Sequence, residues 1–291
     1  MEGKKTIIVP WDFTDVSQYA LAHALNIAKK ARNTITLLHI IDNNLSHSTQ
    51  LKEIKSAKDK LEKTAETIYF NNFVKIFVIV RKGSIFSTIN EVAVEVDANL
   101  VVMGTPIQSL YWGSHGIKGF QKLTGSWALK VIAGSLVPFI VVQALPTKKP
   151  LEHKIVFPLD LKSENIEKLK WANYLSKYYR SKIIFFNKKY TEPLLAKKLE
   201  SKLIFARRYL QSNSVNHEIH TAETKGKFSD NAIEFAKKVN AEMIIITTTK
   251  GLNKVDYVIG APEQSIIANK SKIPIICINP SITTSFKFKP Y

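Results

Sequence analysis

Three glycines and a serine near the middle of the chain, Gly104, Gly116, Gly125 and Ser126, carry the clearest chemistry in the sequence. Gly104 closes the run LVVMG. Gly116 and Gly125 are spread through SHGIKGFQKLTGSWALK (Ser114–Lys130) among lysines, and Gly125-Ser126 leads into a helix-like stretch. Small residues let backbone N–H groups approach phosphate oxygens. A helix start adds unpaired N–H groups and a partial positive charge, and Ser126 adds a hydroxyl. The same residues would also build a tight turn and a capped helix. His115 and Lys118, in the same loop, read as solvated charges. A second candidate is Asp12 in VPWD, a carboxylate at the end of an apolar run, which would either meet a ligand or begin a helix cap with Thr14 and Asp15. Neither a G-x-x-x-x-G-K-[ST] loop nor a G-x-G-x-x-G fingerprint after the first strand is present.

The elements that must position these residues alternate. Ile7–Val9 reads as a strand, and then apolar residues recur at helical spacing at Leu21, Ala24, Leu25 and Ala28. Thr34–Ile41, Ile76–Val80, Leu100–Met103 and Phe139–Val142 read as strands, with helices over Leu51–Ile68, Ile85–Val96 and Ser126–Ala133. Apolar strands without clean alternation, joined by helices, imply a parallel sheet covered on both faces. Such doubly wound sheets take ligands beyond the carboxyl ends of their strands, where strand order reverses.

The chain also repeats itself. KKTIIVPWDFT (Lys4–Thr14) matches EHKIVFPLDLK (Glu152–Lys162), so that Pro10 and Asp12 stand 148 residues before Pro158 and Asp160. VPFIVV (Val137–Val142) matches IPIICI (Ile273–Ile278). Two α/β domains, residues 1–145 and 151–291, joined by a linker around ALPTKKPLEH, account for the length of 291 residues.

Taken together, VPWD and FPLD, LLHIID at the second strand, Met103-Gly104, Gly125-Ser126 and the final VPFIVV resemble the universal stress protein family in its tandem, two-domain form. The resemblance covers nearly the whole chain. It implies two tandem domains of the adenine nucleotide α-hydrolase-like, universal stress protein fold. It implies a nucleotide site in the first domain, with ATP or a related adenine nucleotide, and Mg, held by Pro10, Trp11, Asp12, Ile40, Met103, Gly104, Gly116, Gly125, Ser126 and Trp127. In it Pro10–Asp12 flank adenine and ribose, and the Ile40 backbone reads the adenine edge. It further implies a cytoplasmic stress-response protein that pairs as a homodimer, meets an unknown protein partner and catalyses at most weak ATP hydrolysis.

The sequence departs from the family pattern. Gly116 arrives nine residues late, eight residues rather than nine separate it from Gly125, and Trp127 replaces a smaller apolar residue. These departures leave open an alternative, a nucleotide-free scaffold whose Thr105–His115 insertion fills the site. In the second half Gly251 and Gly260 keep the eight-residue gap, Thr248 stands where the first glycine would be, Ala261 replaces the serine and Lys188 falls at the place of Ile40. That half reads as a degenerate copy.

The remaining chemistry is sparse. The single Cys277 reads as part of a buried strand, and no disulfide framework follows from it. His39 reads as a satisfied core histidine and Trp11 as core packing. In HEIH (His217–His220) the two histidines fall on opposite faces of a strand, so one ion cannot take both. The net charge of +18 is uneven, +5 over residues 1–146 (16 Lys+Arg, 11 Asp+Glu) and +13 over residues 147–291 (26 and 13). No nucleic-acid motif accompanies it, so nucleic acid is not the expected partner. No apolar run has the length of a membrane span and no secretory leader is read at the start. No nucleophile elbow or metal-ligand cluster stands out.

Overall fold

The computed structural model describes residues 5–41, 46–105, 131–146, 153–161, 166–222, 226–247, 249–250, 257–258 and 261–279. The chain divides into two compact units, Met1–Pro146 and Thr147–Tyr291, and the division falls inside the predicted linker.

In the N-terminal unit, β1 (Thr6–Pro10) is buried along its whole length. α1 (Asp15–Ala31) follows after an extended Thr14. Its inner face, Ser17, Ala20, Leu21, Ala24, Ile27 and Ala28, repeats at three- and four-residue steps, which is why this segment lies as a helix along a sheet. It ends at Arg32 in the left-handed region (φ 56°), whose N–H bonds the Ala28 carbonyl. β2 (Thr34–Ile41), α2 (His47–Asn72), β3 (Ile76–Lys82), α3 (Ile85–Glu95), β4 (Ala98–Gly104) and β5 (Phe139–Val142) complete the unit. α2 is longer than its apolar periodicity predicts. The Ser46 side chain caps its start by accepting from the Thr49 N–H, and a left-handed Phe73 closes it.

Strand order in this unit is β3-β2-β1-β4-β5, and every pairing is parallel. The order reverses between β1 and β4, so the crevice of a doubly wound sheet opens beyond Pro10 and Gly104.

The C-terminal unit contains β6 (Lys154–Leu159), α4 (Ile166–Tyr179), β7 (Lys182–Asn187), α5 (Pro193–Ser212), β8 (His217–Thr221), α6 (Phe228–Lys238), β9 (Met243–Thr247), the short antiparallel pair β10 (Thr249–Lys250) and β11 (Tyr257–Val258), α7 (Ala261–Ile267) and β12 (Ile275–Ile278). Its order, β12-β9-β6-β7-β8, is that of the first unit, again with parallel pairings. The sequence repeat is therefore a repeat of topology. The copies are not equal in length. Register equates Ile7 with Ile155, Leu100 with Met243 and Phe139 with Ile275, so the separation falls from 148 to 143 to 136 residues.

Cys277 lies buried in β12, as its sequence context predicts, and burial pushes its thiol up. No helix among the described residues is long and apolar enough to cross a membrane.

One buried titratable group ties α1 to the end of its unit. The His23 Nε2–H donates to the Ala144 carbonyl at 3.1 Å. Burial pushes the imidazole down to about 4 from an ordinary 6.5. The unfolded chain then holds more protons between those two values, so stability is present above pH 6.5 and is lost as pH falls through 4. The loss should reach about 3 kcal/mol. Urea unfolding at pH 7 and pH 4.5 should show it, and His23→Gln should reduce the difference.

Candidate functional site

β1 ends at Pro10, and the Trp11 N–H still bonds the Leu38 carbonyl at 2.8 Å. Trp11 is 5% exposed, so the core reading of this residue holds. Its indole Nε1 nevertheless has no hydrogen-bond partner among the described residues. A buried unsatisfied donor costs on the order of 1–3 kcal/mol. The Trp11 carbonyl accepts from the His39 Nδ1–H at 2.7 Å, so the histidine is satisfied as expected, but it is half-buried rather than a core residue.

Asp12 follows. Its Oδ1 accepts from the Thr14 N–H at 3.0 Å and from the Thr14 hydroxyl at 2.5 Å. The carboxylate thus starts α1 from a turn, while Oδ2 takes no hydrogen bond among the described residues. Asp12 therefore closes a turn ahead of α1 and does not cap it: the N-cap is Thr14, and no side chain makes a cap hydrogen bond there.

Phe13 is the residue that sequence reasoning passed over. It sits in the left-handed region at φ 64°, a strained place for an aromatic side chain. Its ring is 5.0 Å from His39 and 6.4 Å, edge-on, from Trp11. The Lys60 ammonium stands 5.6 Å from its centroid. Nothing in the string WDFTD announces a positive φ, since no glycine or asparagine marks it.

Ile40 is 8% exposed. Thr34 and Leu38 bond β1 or its flanking residues through their backbone, and Ile35 bonds toward β3. By alternation Ile40 turns its backbone edge to the β1 side, one step past the end of β1. That edge faces the mouth of the crevice.

Across the reversal, Met103 is 1% exposed and belongs to the core of β4. Gly104 has a structural duty of its own. A β-carbon there would overlap the carbonyl group of Val16 in the first turn of α1. The glycine lets helix and strand backbones approach, whatever else it does. The Thr105 N–H bonds the Val142 carbonyl at 2.9 Å, so the first residue of the expected Thr105–His115 insertion extends the sheet ladder rather than filling the site. The rest of that insertion, and Gly116, Gly125, Ser126 and Trp127, lie outside the described residues. Residues 131–133 are helical, at the end of the helix predicted over Ser126–Ala133.

In the C-terminal unit register places Thr247, not Thr248, opposite Gly104, since Ile244 pairs with Ile275 as Val101 pairs with Phe139. Three consecutive threonines hide this from the sequence. Gly251 and Gly260 lie outside the described residues. His217 packs on Phe185, whereas His220 packs on Phe235, which stacks on Phe186. The two histidines do face opposite ways. Among the described residues no group of three His, Cys, Asp or Glu side chains is arranged to hold a metal.

Comparison with known proteins agrees with the fold. The model of the universal stress protein family matches residues 4–143. A universal stress protein of Methanocaldococcus jannaschii is 30% identical over 151 residues, which span 48% of this chain and 82% of that protein. Universal stress protein G of Salmonella typhimurium is likewise 30% identical over 151 residues, 48% of this chain and 99% of its own. A crystal structure of a universal stress protein from Archaeoglobus fulgidus superposes on 94% of this chain and 98% of its own, with a TM-score of 0.74 and 14% identity. That structure extends the fold, though not close sequence likeness, over both units. The chain belongs to the universal stress protein family.

Proposed function

We propose that this stress-response protein binds an adenine nucleotide in the crevice of its N-terminal unit and is regulatory rather than catalytic. The observation that carries this reading is the Trp11 indole N–H, buried at the point of strand reversal without an acceptor among the described residues. A ligand acceptor would remove its cost. At the same strand ends lie the second oxygen of Asp12, the Ile40 backbone edge and a strained Phe13. Asp12 would meet the ribose or a water bound to Mg, and any Mg would arrive on the phosphates of the nucleotide. The Gly116–Ser126 segment would supply the phosphate contacts that the family resemblance implies.

The test is a thermal melt with and without Mg-ATP, with tripolyphosphate as the control for a protein of net charge +18. Nucleotide at a hundred times its dissociation constant should add about 2.7 kcal/mol. Trp11→Phe keeps an aromatic ring but removes the N–H donor together with the second ring of the indole, so the stability of the nucleotide-free variant is measured beside its binding. The substitution should weaken nucleotide about tenfold, as one lost hydrogen bond does. No shift with ATP, or an equal shift with tripolyphosphate, would return the site to the scaffold reading.

A further inference from the structure

The C-terminal unit repeats the fold of the N-terminal one but builds its strand-end crevice from different residues. The inner face of α1 recurs in α4. Ala20, Leu21, Ala24, Ile27 and Ala28 correspond to Lys168, Leu169, Ala172, Leu175 and Ser176, all of them buried. Each pair is 148 residues apart, the same separation as Pro10 and Pro158. In the first pair a methyl group has been exchanged for a lysine.

Lys168 is 2% exposed. Its Nζ donates to the Pro158 carbonyl at 2.9 Å and lies 4.5 Å from the centroid of Phe157. The ammonium therefore sits at the carboxyl end of β6, beside the strand reversal with β9. Asp160 and Glu263 act on it in favour of its charge, and Lys202 acts against it. Lys202 reaches in from α5 and donates to the Leu161 carbonyl at 2.9 Å and the Asp160 carbonyl at 3.4 Å. The Tyr190 hydroxyl accepts from the Leu161 N–H at 3.3 Å. Glu263 belongs to the first turn of α7.

The turn after β6 is thus satisfied by side chains of its own unit. The corresponding turn after β1 has a donor without a partner among the described residues and a left-handed Phe13. Leu161, which takes the place of Phe13, is not left-handed.

The geometry points to Lys168 as the residue that closes the C-terminal unit to nucleotide. Its ammonium on the Pro158 carbonyl, with the Lys202 ammonium on the Asp160 and Leu161 carbonyls, occupies the strand reversal from within, so the chain carries one nucleotide site instead of two. The count of one rests on the nucleotide reading of the N-terminal unit. The role of Lys168 does not.

Equilibrium dialysis of the full chain against radiolabelled Mg-ATP tests it, with wild type beside Lys168→Ala, which restores the residue of the first unit. Cys277, the only cysteine and buried in β12, reports whether the C-terminal unit has folded. If the alanine variant exposes it to a thiol reagent, Lys168→Ser takes its place. The expected result is one nucleotide per wild-type chain and a second, more weakly held nucleotide per variant chain, since Thr247 and Ala261 still stand where the first unit has Gly104 and Ser126. A folded variant that gains no site, or a wild type that already binds two, overturns the assignment. A wild type that binds none with a variant that binds one would sink the nucleotide reading of the N-terminal unit and keep the role of Lys168.

Discussion

Gly104→Ala is expected to destabilise the N-terminal unit by about 3 kcal/mol or more, at the upper end of overpacking effects. The reason is that the atom in the way is backbone. A flexible side chain would swing aside from a new methyl group, but the carbonyl of Val16 belongs to the first turn of α1 and is fixed by the helix. α1 packs along β4 and β1, so the helix start must shift or the strand must bend. The C-terminal unit has its own core and should remain folded. In urea, circular dichroism should then show an early transition for the first unit, while Cys277 stays unreactive to a thiol reagent until the second. A Gly104→Ala protein with wild-type stability would mean that the close approach of α1 is not maintained in solution. The result also bears on how the site is probed. Loss of nucleotide binding in a Gly104 variant would not identify a phosphate contact, whereas loss in Trp11→Phe with the stability of the nucleotide-free chain unchanged would identify a ligand contact.

The second large effect concerns Lys168. Burial pushes its ammonium down to about 8 from an ordinary 10.5, against the pull of Asp160 and Glu263. Below pH 8 the lysine is charged in both folded and unfolded chains and adds no pH dependence. Between 8 and 10.5 the unfolded chain holds more protons, so folding gains stability as pH rises. The full gain is about 3 kcal/mol. Cys277 and Tyr209 act in the opposite sense at alkaline pH, because burial raises both and the unfolded chain loses their protons first. The clean quantity is therefore the difference between wild type and Lys168→Met. Relative to the variant, wild type should gain stability steadily from pH 8 to 10.5 in urea unfolding of the C-terminal unit. A difference that stays constant across that window would show that the ammonium is not held away from water as described.

Much of the fold was legible because local signals agreed with one another. The apolar runs of β2 and β5 have the same boundaries in sequence and structure. Pro10 and Asp12, repeated at Pro158 and Asp160, announced the second copy of the sheet. What stayed hidden has physical reasons. A lysine at position 168 reads as polar and surface-seeking, yet four inward neighbours at helical spacing place it in the core, and its length lets the charge reach the strand end. That interruption of the apolar period was the available signal. Gly104 reads as a phosphate glycine because a tight backbone approach looks the same in sequence whether the partner is a ligand or a helix. Phe13 carries a positive φ that no residue preference betrays. The step from Thr248 to Thr247 comes from a run of identical residues that only pairing with β12 resolves. Gly116, Gly125 and Ser126, on which the phosphate reading first turned, fall outside the described residues.

The unequal spacing of matched strands in the two units has a historical meaning. Strand register equates Gly104 with Thr247 and Phe139 with Ile275, so residues 105–138 correspond to the shorter stretch 248–274. An ancestral gene copied end to end would have produced equal halves. The strands kept their order and pairing, while the connections changed length twice, by five residues between β1 and β4 and by seven between β4 and β5. The sheet is what the two copies share, and the connections between its strands are where they differ in length.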